Sequence, residues 1–223
     1  MDFMKWLNSL DELLYEVMSW LLFFPITLWR ATVGPLRLMA EVEQQAALPD
    51  EEQYGSILSP PLFLALSLLL AHAGATALGQ SDALIADNHG LASLVDDDAT
   101  ALVVRVAAFA GFALSLAARL VRSRRLALSR LTLRQPFYEQ CYPSAVFALG
   151  LGIGTSLILV PNGPAHAAGR LLAVASLTYF AIVEVRWFAA ARGISHVRAL
   201  GHVVLATSQA LVLMLIIGFL FTR

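Results

Sequence analysis

Five apolar runs dominate the pattern of this chain, at roughly 57–79, 99–121, 142–160, 168–190 and 200–221. A spanning helix needs about 20 mostly apolar residues to cross ~30 Å of hydrocarbon. Backbone groups in lipid must be satisfied within their own segment, so each run predicts a transmembrane α-helix. The first 50 residues read differently. Residues 17–29 are apolar but short, and Pro25 interrupts them. Trp6, Leu10, Leu13, Leu14, Val17, Leu21, Phe24 and Leu28 recur at helical spacing, with Asp11, Glu12 and Glu16 on the other side. With Trp6, Trp20 and Trp29 as anchors and Arg30 and Arg37 following, this stretch predicts an amphipathic helix lying on the cytoplasmic surface. A sixth span or a re-entrant hairpin is the competing reading. The acidic stretch 41–52, with Pro49, reads as a polar connector to the first span.

The expected fold class is therefore all-α, a polytopic membrane helix bundle of five transmembrane helices with an N-terminal amphipathic interfacial helix. Residues 1–50 form the interfacial helix and acidic linker, and 51–223 the five-span domain.

Charge sorts the connections by sign. Residues 80–98 carry Asp82, Asp87, Asp96, Asp97 and Asp98 without a Lys or Arg. After the next run Arg119, Arg122, Arg124, Arg125, Arg130 and Arg134 precede a single acid, Glu139. Segment 161–167 has no basic residue, and 191–199 holds Arg192 and Arg198. Basic loops remain cytoplasmic because moving them against the potential and away from anionic lipid is costly. The N-terminus is thereby predicted cytoplasmic and the C-terminus periplasmic. Fourteen arginines against one lysine suggest a GC-rich bacterial genome, and with it a multi-pass protein of the bacterial inner (plasma) membrane.

Composition narrows the function classes. Hydrophobic residues make up 58% and charged residues 14%, against about a quarter charged in a soluble domain. A net charge of −1 offers no basic surface, so no nucleic-acid partner is expected. Cys141 is the only cysteine, which excludes an internal disulfide and a cysteine-based metal site. The segment Met1 to Lys5 lacks the basic region of a secretory signal. No H-E-x-x-H, G-x-S-x-G or phosphate-cradling glycine motif is present. The expectation is a non-enzymatic protein with no catalytic residue, cofactor or metal.

Ionisable groups at membrane depth are costly and so become the candidates. His72, Arg105 and Arg170, with His166, fall in the outer layer, where two guanidiniums would suit a phosphate, carboxylate or lipid headgroup. The alternative is that Arg105 and Arg170 reach to the interface or pair with loop aspartates. Glu184 falls in an inner layer with Arg186 and the segment from Pro136 to Pro143. Its expected partners are Arg119, Arg122 or His202, either as a proton- or cation-coupling site or as a helix-packing ion pair. His72, Arg105, Arg170 and Glu184 are the candidates for a ligand or ion pathway. Gly150, Gly152 and Gly154 would allow close helix approach. Arg119, Arg122, Arg124, Arg125, Arg130 and Arg134 are candidates for anionic-lipid contact, at about 1 kcal/mol each.

Two segments resemble a family. Asp50-Glu51-Glu52-Gln53-Tyr54-Gly55-Ser56, leading into the first span, is similar to the acidic, Tyr-Gly-containing approach to the first span of Yip-family proteins. Tyr138-Glu139-Gln140-Cys141-Tyr142-Pro143-Ser144 resembles the tyrosine-rich start of that family's third helix. The resemblance implies five spans and a cytoplasmic N-terminus, and in eukaryotes the family interacts with Rab GTPases. A bacterial group labelled permease is similar across more of the chain, including Trp-Leu-Leu-Phe-Phe-Pro-Ile-Thr-Leu-Trp-Arg at 20–30 and Pro-Phe-Tyr-x-Gln-Cys-Tyr at 136–142. Only about 50 residues precede the first span here, and Rab binding does not carry over. Two functions stay open. One is an inner-membrane permease-like protein for an anionic or amphipathic small solute, with homo-oligomerisation as an option. The other is a Yip-like, non-transporting scaffold that organises membrane lipids or a partner complex.

Overall fold

A computed structural model describes residues 2–45, 48–49, 53–80 and 97–222. Among them the chain forms seven helices and no strand: α1 (Asp2–Val33), α2 (Pro35–Gln45), α3 (Pro60–Ala77), α4 (Asp98–Ser123), α5 (Arg130–Leu159), α6 (Gly163–Arg192) and α7 (His196–Thr222). Asp82, Asp87 and Asp96 of the acidic loop lie outside the described residues, as do residues 50–52 of the Yip-like segment and Arg223. Every helix except α2 is long and apolar enough to cross a membrane, six in all. Five of these coincide with the predicted spans.

The sixth is α1, which runs through Pro25 without a break. A proline removes one N–H from the helical ladder, and the surrounding turns carry on. At 1.5 Å per residue the helix is about 48 Å long, so the competing sixth-span reading has the length it requires. Trp20, Phe24, Leu28 and Ala31, set three to four residues apart, pack on the core with Phe23, while Leu13, Leu14, Met18, Leu21 and Leu22 are exposed. Ala31 cannot give its carbonyl to residue 35, because that residue is Pro35. The Tyr179 hydroxyl donates to it instead, at 2.6 Å.

The expected polar connector begins later than its sequence suggests, because 35–45 form α2. Leu38, Met39 and Val42 lie one turn apart and are buried, which leaves Glu43 outside. Arg30 of α1 forms an ion pair with Glu41 of α2. The arginine-rich connection is likewise shorter than expected, since α5 starts at Arg130 rather than at 142. Ser129 caps it in a capping box with Thr132, and Pro136 and Pro143 both sit within the helix.

Helix α5 is the axis of the molecule, in contact with α1, α2, α3, α4 and α6 around it. Residues 139 to 145 are all buried. A helix hides successive residues only when it has neighbours on every side. Close approach is made through the predicted glycines. A Cβ at Gly154 would meet Ala173 N and Gly169 O of α6 at 3.0 Å, and one at Gly152 would meet Ala71 of α3 at 2.8 Å. The non-helical residues ahead of α3 are pinned by side chains. The Leu58 amide donates to Thr27 Oγ1 (3.0 Å), and Tyr142 donates its hydroxyl to the Leu58 carbonyl (2.8 Å). Gly193, at φ 60°, closes α6 in the left-handed conformation, with Ile194 and Gly193 amides returning to the Ala189 and Ala190 carbonyls.

Candidate functional sites at the two ends of the bundle

The acidic-loop end holds an open cavity of about 370 Å³ between α3, α4 and α5. Its walls are apolar at Leu68, Ala71, Phe109 and Leu151, and polar at His72, Thr76, Gln80, Arg105, Thr155 and Ser156. His72 lies near the end of α3 and Arg105 two turns into α4, and the two meet at 3.1 Å from Nη1 to Nδ1. A guanidinium has no acceptor, so Nδ1 accepts and the ring proton sits on Nε2. Gln80 anchors the rim by donating to the Ser156 carbonyl at 2.7 Å. Gly152 adds space to one wall, since any side chain there would collide with Ala71. At this end Asp97 caps α4, accepting from the Thr100 amide at 2.7 Å; the Thr100 hydroxyl, and then that amide, hold its carboxyl below the usual aspartate range.

Two of the residues assigned to the outer layer stand apart from this cavity. Arg170 is exposed on α6 and His166 is half-buried in the first turn of that helix. Neither lines the cavity. On the same helix Gly169 and Ala173, one turn apart, abut Gly154, and that tight contact leaves no room for an arginine on the packed face.

The arginine end holds a closed cluster. Glu139 and Gln140 of α5 meet Glu184 and Trp187 of α6, and all four are at most 5% exposed. Met39 of α2 packs with Val183 and Trp187 and covers the cluster. Gln135 donates to Glu139 Oε1 at 3.3 Å. Glu139 Oε2, both Glu184 oxygens, both ends of the Gln140 amide and Trp187 Nε1 have no hydrogen-bond partner. Gln140 lies within reach of Glu184, and Trp187 of Glu139, without completing hydrogen-bond geometry.

Glu184 meets none of its expected partners. Arg119 Nε donates instead to His202 Nδ1 at 3.3 Å, joining α4 to α7, while Arg122 is exposed. Among the described residues the sole ion pair is Arg30–Glu41. Glu184 lies beside Gln140 of α5, and its electrostatic companion is the other acid, Glu139. Arg186 is exposed beside the α1–α2 junction. Of the arginines assigned to lipid contact, Arg122, Arg125, Arg130 and Arg134 are exposed around the α4–α5 turn, and Arg134 stacks over Tyr138 at 5.5 Å. Arg124 is half-buried, within electrostatic range of Glu139. No group of three or more His, Cys, Asp or Glu that could hold a metal occurs among the described residues.

The fold and its apolar exterior define the class, a polytopic, membrane-type helical bundle. Compared with protein-family models, curated proteins and solved structures, the chain matches none.

Proposed function

We propose that this is a non-enzymatic, permease-like protein of the bacterial inner membrane, with a cytoplasmic N-terminus, that takes an anionic or amphipathic small solute into the cavity at its acidic-loop end. One observation carries the reading: Arg105 and His72 line an open cavity that is otherwise mostly apolar. A guanidinium fork binds oxyanions bidentately, and an apolar wall suits an acyl or alkyl tail. In the purified protein, inorganic phosphate, octanoate and short-chain phosphatidylglycerol are tested for a rise in the thermal midpoint. At least one should raise it, and Arg105→Gln should abolish that rise while lowering the unliganded midpoint only slightly. Uptake of the active probe into proteoliposomes then tests transport. An identical response in wild type and variant would overturn the binding reading. Binding without uptake would favour the scaffold.

The scaffold reading has an observation of its own, the exposed Arg122, Arg125, Arg130 and Arg134. Replacing all four by alanine should reduce co-purifying anionic lipid if these residues organise lipid, and should leave it unchanged if they only set orientation.

A further inference from the structure

Between residues 99 and 223 the chain has two acids and twelve arginines. Both acids, Glu139 and Glu184, are buried in one cluster, and none of the described arginines forms an ion pair with either. Charge of one sign has been gathered where a single counter-charge, Arg124, comes within electrostatic range of Glu139 without pairing to it. Two carboxylates sealed from water and close to one another do not both ionise, because desolvation and mutual repulsion act in the same direction.

We propose that Glu139 and Glu184 together hold one exchangeable proton, making the pair a protonation site at the arginine end of the bundle. A second observation points into the same space: Gln140 is fully buried with both amide atoms unpartnered, within reach of Glu184. An amide can donate to a carboxylate or accept from a carboxylic acid, so it serves the pair in either protonation state. Trp187 Nε1 is a donor only, and it lies beside Glu139.

The surrounding elements contribute few other charges. Helix α2 presents Glu43 and the end of α4 presents Arg124, both within electrostatic range of Glu139. Helix α6 adds the Tyr179 hydroxyl, which is occupied by Ala31. Helix α5 itself adds Gln135. Gln135 is half-exposed and bonded to Glu139, so the proton enters there, and Glu184 is the inner member of the pair. This site is independent of the solute proposed for the opposite end, and the two ideas can fail separately.

Infrared difference spectroscopy on the full chain in nanodiscs tests it directly. At neutral pH the wild type should show the carbonyl stretch of a solvent-excluded carboxylic acid. That band should shift in deuterium oxide and be replaced by carboxylate bands as the pH is raised. Glu139→Gln and Glu184→Gln should each remove or move it. Should either amide variant fail to fold, Glu139→Asp and Glu184→Asp keep the acid and should displace the band. Absence of the band at neutral pH, a band that ignores deuterium, or one unchanged in every variant would overturn the proposal.

Discussion

The two ends of the bundle treat charge in opposite ways. At the acidic-loop end Arg105 and His72, both half-buried, share an open cavity. At the arginine end Glu139 and Glu184 are sealed under α2, with arginines plentiful nearby and none paired to them. In the open cavity a charged side chain keeps part of its solvation. In the closed cluster its protonation state becomes part of the packing. One kind of residue, an ionisable group inside a span, thus has two physical meanings set by what covers it.

This contrast can be attacked at the helix seams, where the largest effect is expected. Gly154→Leu pushes α5 off α6, because a Cβ there already meets backbone at 3.0 Å. A loss of about 3 kcal/mol or more is expected, read as a collapsed unfolding midpoint in detergent. Tyr142→Phe removes the hydroxyl from the Leu58 carbonyl and leaves that group buried and unmet. It should cost about 1–3 kcal/mol by the same measurement. Arg105→Gln sits on the open side of the comparison, where an amide can still donate to His72, and should cost no more than about 1 kcal/mol. A large destabilisation there would erase the distinction between the two ends. The smallest effect is that of Asp97→Ala, which removes the α4 cap. It should raise amide exchange at Ala99 to Ala101 while the rest of the bundle is unmoved. Because bonding to Thr100 lowers the Asp97 pKa on folding, the cap contributes above the ordinary aspartate range. Its contribution is lost as the pH falls from that range through the lower folded-state value, so wild type and variant should converge in acid.

Much of this architecture is written locally in the chain. The five spans, the glycine contacts of α5 and the separation of His72 and Arg105 from Glu184 follow from apolar run length and residue spacing. Helix α2 does not stand out, because its acids mask a three-residue apolar face formed by Leu38, Met39 and Val42. Pro136 and Pro143 read as a boundary, yet α5 passes through both, enclosed by neighbours that compensate for a weakened ladder. Glu139 consequently reads as the last acid of a loop. Its meeting with Glu184, 45 positions away, depends on the register of α5 against α6, which no local pattern encodes. Arg170 failed to join the outer cluster for the same reason: depth along the chain gives a layer, but facing is decided by packing.

The clamp on Leu58 has a consequence for how the chain is made. Its amide is held by α1, already synthesised, while its carbonyl waits for a hydroxyl 84 residues later. Until α5 leaves the ribosome, the start of α3 carries an unmet polar group, and the first three helices are an unfinished assembly. A chain stopped before Tyr142 would present quality-control proteases with that defect, and only the completed axis conceals it.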